Sequence, residues 1–122
     1  MNIVLWIAQV VLGLGFVAAG ALHAFRFDQF TANPRMAWGL AVGRANMRII
    51  GLLEIAGGIG VIVPAVTGIL PWLTGVAAAG LLIVMAAAAA FHLRRREPIA
   101  PDVVLGVIAL FVGVGRLLVQ PF

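Results

Sequence analysis

The sequence contains no cysteine, no lysine and no tyrosine, and only four acidic residues in 122. Without cysteine there can be no structural disulfide, thiolate metal site, thiol nucleophile or iron–sulfur cluster. Charge is scarce as well: 10% of residues are charged, against about 25% in ordinary soluble domains. So few charges cannot cover a soluble globule. What is abundant is apolar, 64% of the chain against roughly 45–50% in soluble domains. The composition therefore predicts an integral membrane protein, and 122 residues make one domain. The net charge of +4 is carried by eight arginines. They lie between apolar runs, so they read as topology signals and not as a nucleic-acid surface. The bilayer is the expected partner, and no nucleic acid is expected.

Four apolar runs are visible, at about 3–25, 49–63, 69–93 and 103–119. A helix needs about 20 residues to cross a hydrocarbon core of ~30 Å. The first and third are long enough. The second reaches that length if it starts near Ala45. These runs predict an all-α fold, an integral membrane four-helix bundle in up-down order. Its helices are expected at about 3–25, 45–63, 70–93 and 102–120 of a single domain, 1–122. The first run lacks a basic leader and is too long for a signal peptide, so it is read as an uncleaved helix.

The connections carry the punctuation. Pro64 is expected to help stop the second helix, and Pro71 suits the first turn of the third. Pro98 and Pro101 frame the last connection, with Asp102 at a helix start and Arg94–Arg96 at a helix end, where each suits the helix dipole. Asn33-Pro34 reads as a cap and first turn of a short interfacial segment, about 34–42, with Phe30 and Trp38 at headgroup depth. Arg26, Arg35, Arg44, Arg48, Arg94, Arg95 and Arg96 fall on one side, and only Arg116 lies near the other. Positive residues stay cytoplasmic, so both termini are expected outside.

Glu54 is the first candidate for chemistry, because an ionisable residue inside a span is costly and is by default a functional hypothesis. Gly51, Gly57 and Gly58 share its helical face and leave room for a helix or a ligand. The bland alternative is a buried packing residue hydrogen-bonded to an Arg or His. His23 and His92 close the first and third runs on the same basic side. They are expected to converge with Glu54, with Arg26, Asn46 and Arg48 around them. Three readings compete for this cluster: a metal held by His23, His92 and Glu54; a haem between the two histidines; and a pocket for a quinone or lipid head, in which His and carboxylate groups hydrogen-bond carbonyl oxygens. The last fits best, because no local ligand spacing supports a metal and both histidines lie near the interface. The candidate ligand-binding set is Glu54, His23, His92, Arg48, Gly51, Gly57 and Gly58. No catalytic or metal residue and no tightly bound cofactor is expected. Arg116 is expected to snorkel to the outer surface, with Gln9 at similar depth as an alternative partner. Gly13-Leu14-Gly15 lies inside a span with no preceding strand and is not a nucleotide fingerprint.

The run Gly51-Leu52-Leu53-Glu54-Ile55-Ala56-Gly57-Gly58-Ile59-Gly60, followed by Pro64, resembles the second-helix signature of the DoxX-like family. So does Phe91-His92-Leu93-Arg94-Arg95-Arg96-Glu97-Pro98, with Pro101 beyond, and Gly20 to Phe25 resembles that family's end of helix 1. The resemblance implies a four-helix bundle of the bacterial inner membrane. It also implies a link to quinone chemistry, since the wider family is named for subunits associated with thiosulfate:quinone oxidoreduction and terminal oxidases. Glu54, His92, Pro64 and the flanking glycines match the motif. With no cysteine, sulfur chemistry by this chain alone is not expected. Two functions stay open: a quinone-linked or redox-associated subunit, and a non-catalytic assembly partner, lipid binder or small-molecule carrier. A redox partner, soluble or membrane-bound, would dock on the Arg-rich face, and homo-oligomerisation stays open.

Overall fold

A computed structural model describes residues 2–119. Residue 1 and residues 120–122, which belong to the expected domain and to the end of its fourth helix, lie outside the described residues. The described chain forms α1 (Asn2–Phe25), α2 (Phe27–Ala32), a 3-10 turn (Pro34–Met36), α3 (Gly39–Val42), α4 (Arg44–Thr67), α5 (Leu73–Arg94) and α6 (Ala100–Val114). A π-helical turn, Gly115–Val119, extends α6. Four helices are long and apolar enough to span a bilayer: α1, α4, α5, and α6 with its π turn. They form an all-α, up-down membrane bundle. α1 packs chiefly on α4 and α5 on α6; α4 against α5 and α6 against α1 close the ring.

Hydrocarbon tails are as apolar as leucine, so burial from water does not hold such helices together; close packing and polar contacts do. The mid-bundle core is Leu12 and Phe16 of α1, Val61 of α4, Leu81 and Met85 of α5, and Val112 of α6, with Ala78 and Ala109 between them. Ile3, Ile7, Leu14, Ile59 and Ile83 point outward, towards the lipid of the predicted bilayer.

The α1–α4 contact is set by two glycine pairs seven residues apart. A Cβ on Gly58 would lie 2.6 Å from the Gly13 carbonyl oxygen, and one on Gly51 would lie 2.5 Å from that of Gly20. Backbone therefore touches backbone at both levels. Gly57 faces α5, where a Cβ would meet the Leu81 side chain at 2.5 Å.

One local expectation is corrected. Pro64 does not stop its helix: α4 runs on to Thr67. The proline deletes one hydrogen bond near the helix end, too late to unwind it, and the Thr67 hydroxyl bonds back to the Val63 carbonyl at 2.8 Å. The stop is Gly68, a left-handed cap at φ 73°. The expected interfacial segment is part of a longer fold-back. Residues 27–42 fold into α2, the 3-10 turn and α3, a strap that lays Phe27 and Phe30 on Met47 of α4. Asn33 caps the 3-10 turn through its side chain, which accepts from the Arg35 amide at 3.0 Å, and Gly43 turns the chain into α4 at φ 95°.

Candidate functional site

His23 and Glu54 meet at the close α1–α4 contact. His23 follows Gly20 by three residues, and Glu54 follows Gly51 by three. Helical side chains lean towards their own N-terminus. Because the helices are antiparallel, both side chains lean back over the Gly20–Gly51 contact. His23 Nδ1 lies 2.5 Å from Glu54 Oε1, and Glu54 is 3% exposed. The bond is charge-assisted when Glu54 is ionised, whether the imidazole is neutral or protonated. Glu54 is thus paired with His23, not with an arginine.

His92 closes α5 and is 6% exposed. It does not bond Glu54. Its Nδ1 lies 3.0 Å from Glu97 Oε1, and its Nε2 faces Asp102 Oδ2 of α6 at 3.9 Å. Glu97 reaches this position through the turn that ends α5. Arg96 adopts a left-handed conformation at φ 57°; the Glu97 amide returns to the His92 carbonyl at 2.8 Å and the Arg96 amide to Leu93 at 3.1 Å. This is a Schellman motif with arginine where glycine is usual. Arg95 Nε also donates to Glu97 Oε1, at 3.0 Å. The His92 hydrogen bond first, and Arg95 after it, hold the Glu97 carboxyl below its ordinary range. The two histidine–carboxylate groups are neighbours, because one ring, Trp38, stands against both histidines.

The strap roofs both groups with aromatic rings. Phe30 stands edge-on to His23 at 4.6 Å between centroids, and Trp38 to His92 at 4.5 Å. Trp38 also lies 6.3 Å from His23 and 5.5 Å from Phe30. The two aromatics expected at headgroup depth turn inward onto the histidines.

Of the other expected residues, Gly51 and Gly58 line the α1 contact and Gly57 the α5 contact. Arg48 is exposed and points out of the bundle, because six residues of helix place it on a different face from Glu54. Asn46 and Arg26 are exposed too, bonding the Val42 carbonyl and Gln29. Sequence reading missed Asp102, Glu97, Phe30 and Trp38 as members of the cluster. Asp102 was legible only as a residue favouring a helix start, and the strap's fold-back left no signal. Among the described residues no three His, Asp or Glu side chains converge as a metal site. Both ring nitrogens of His92 face carboxylates, Glu97 and Asp102.

A second polar group lies at the opposite end. Arg116 is 4% exposed and does not snorkel. Its Nε donates to Gln9 Oε1 at 2.5 Å and its Nη1 to Asn2 Oδ1 at 2.7 Å, and its guanidinium stacks over Trp6 at 5.4 Å. Gln9 also donates to the Val61 carbonyl at 2.9 Å. The π turn carries the arginine, and such turns often re-aim side chains.

No curated protein and no solved structure matches the chain. A family model described as the DoxX-like family matches residues 7–115. The match covers the glycine contact, Glu54, both histidines and Asp102, and with it the chain belongs to the DoxX-like family.

Proposed function

We propose that this protein holds the polar head of a membrane-soluble amphiphile of the quinone class beside the His23–Glu54 pair, and exchanges protons with it. The observation that carries the reading is that pair: a histidine and a carboxylate in contact at the α1–α4 packing interface, the carboxylate 3% and the histidine 13% exposed. Such a couple is expensive to place in a membrane. It can donate to a carbonyl oxygen or accept from a hydroxyl. A furrow of about 210 Å³ runs between α5 and α6, walled by Met85, Ala86, Ala89 and Gly106, and it reaches Asp102 but not the His23–Glu54 pair itself.

The electrons come from elsewhere. The chain offers no cysteine, no tyrosine and no dinucleotide motif, and redox steps need a cofactor or a redox-active side chain. In this reading the protein sits in a bacterial inner membrane with its exposed arginines on the cytoplasmic side. Arg26, Arg35 and Arg94–Arg96, all exposed, form the docking face for an acidic redox partner.

The test uses the purified full chain. Organic extracts should contain an isoprenoid quinone, and decylubiquinone should quench tryptophan fluorescence through Trp38. Glu54→Gln keeps shape and removes charge, and it should weaken that quenching about tenfold, the equivalent of ~1.4 kcal/mol. Extracts holding only phospholipid, with no response to decylubiquinone, would favour a non-catalytic lipid binder instead.

A further inference from the structure

We infer that Glu97, His92 and Asp102 form a proton-entry arm that connects solvent at the Arg-rich end of the bundle to the buried Glu54 site. The inference rests on the reading that Glu54 handles protons. Its own basis is the placing of His92, an imidazole whose two nitrogens face two different carboxylates. Nδ1 meets Glu97 at 3.0 Å and Nε2 faces Asp102 at 3.9 Å. A histidine that only capped its helix would need one partner. Two carboxylates, one on each nitrogen, are what a shuttle needs: a proton enters at one nitrogen while another leaves from the opposite one.

The entrance of the arm is its most exposed group and the destination the least. Glu97 is 27% exposed by side chain, His92 8%, Asp102 16%, and Glu54 behind them 3%. Glu97 takes a proton from water. The carboxyl passes it to Nδ1 of neutral His92, forming an imidazolium and a carboxylate. The imidazolium releases its Nε2 proton to the Asp102 carboxylate. The net change is one proton moved from Glu97 to Asp102, with His92 again neutral in its other tautomer; the reverse passage or a ring rotation restores it. At 3.9 Å the second step is not yet a hydrogen bond, and the Asp102 carboxylate must swing inward by about 1 Å to make one. The arm ends beside the His23–Glu54 pair, because the His92 and His23 rings share Trp38 as a neighbour, at 4.5 Å and 6.3 Å between centroids.

The charged surroundings of His92 are few. Arg95, on its own helix, shares the Glu97 oxygen. Glu97 comes from the following connection and Asp102 from α6. Glu54 of α4 acts through Asp102, and His23 of α1 lies beyond Trp38. The strap contributes Trp38, an uncharged ring that shields the imidazole on that side.

The experiment is a pH jump on the full chain in lipid nanodiscs, followed by infrared difference spectroscopy. The buried carboxyl band is identified by its loss in Glu54→Gln. We expect His92→Ala and Asp102→Asn each to slow that band's response by about 100-fold, in the range of a lost general acid–base group, with its final amplitude kept. Free imidazole should restore the rate in His92→Ala alone, which a purely structural role would not produce. Helical circular dichroism checks folding, and Asp102→Asn serves if His92→Ala fails to fold. A Glu54 band that responds at the wild-type rate in both variants overturns the arm and leaves the site reading standing. A wild-type protein in which no such band moves overturns the proton-handling role of Glu54, and the arm with it.

Discussion

At the scale of single residues, the site depends on one strained backbone position. Arg96 holds a left-handed conformation at φ 57°, which costs a residue with a Cβ roughly 1–2 kcal/mol. The return is position: the turn brings Glu97 onto His92. Arg96→Gly should therefore raise thermal stability in detergent by about 0.5–1 kcal/mol, with the Glu97–His92 contact kept; a lowered midpoint would refute this account of the turn. Glu97 gives a pH prediction. Its carboxyl is held low by the His92 hydrogen bond, then by Arg95. A lowered carboxyl contributes stability that is complete above its ordinary value, about 4.3, and is lost as pH falls through the lowered one. Melting midpoints of the wild type should fall on acidification below about pH 4.3, and more steeply than those of Glu97→Gln. Residues of this kind were poorly legible in the sequence. Glu54 announced itself because a charge inside an apolar run has only costly bland explanations. Glu97 and Asp102 sit where any helix end or start tolerates an acid, and their part in the cluster depends on a backbone turn that Arg96 does not signal.

At the scale of elements, the α1–α4 contact positions the pair. Gly20 and Gly51 touch backbone to backbone, and a Cβ on Gly51 would lie 2.5 Å from the Gly20 oxygen and 2.7 Å from the Ala24 nitrogen. Backbone atoms cannot swing aside as a side chain can. Gly51→Ala should force the helices apart, cost roughly 1–3 kcal/mol, and pull His23 away from Glu54. Gly15→Ala is the control, since nothing lies within 4 Å of its Cβ position. Differential scanning of the two variants checks the contrast; equal midpoints would mean that the helices absorb the methyl group. The glycine face beside Glu54 was readable from helical spacing, and so were four spans, because both follow from periodicity and length. The matching glycines of α1 could not be assigned to that face, because register between helices is not written in either one alone. The strap was harder still. Its 16 residues from Phe27 to Val42 carry ordinary interfacial chemistry, and only tertiary contact turns Phe30 and Trp38 inward.

At the scale of the whole molecule, the arginines are sorted by exposure as well as by side. Arg26, Arg35, Arg44, Arg48, Arg94, Arg95 and Arg96 are all exposed at the end where α1 stops, α4 starts and α5 stops. The eighth, Arg116, is buried at the other end against Gln9 and Asn2. The lone charge that opposed the bias in the sequence is thus tied into the bundle, and no arginine among the described residues remains exposed at that end. The rule that positive loops stay cytoplasmic counts residues flanking the spans, and Lys and Arg dominate it while acids contribute little. The Arg44–Asp28 pair therefore does not cancel Arg44 from the count; it is an exposed pair in any case. With an even number of spans, that rule predicts both ends of the chain on the outer side. A C-terminal alkaline phosphatase fusion should be active in a bacterial host and a C-terminal green fluorescent protein fusion dark. Replacing Arg94, Arg95 and Arg96 with Gln should weaken the bias, at the cost of the Arg95–Glu97 bond. Fusions to that triple variant should show a mixed population. A bright green fluorescent fusion on the wild-type chain would reverse the orientation. It would also place the Glu97 entrance on the outer face, so that protons reaching Glu54 come from outside the cell.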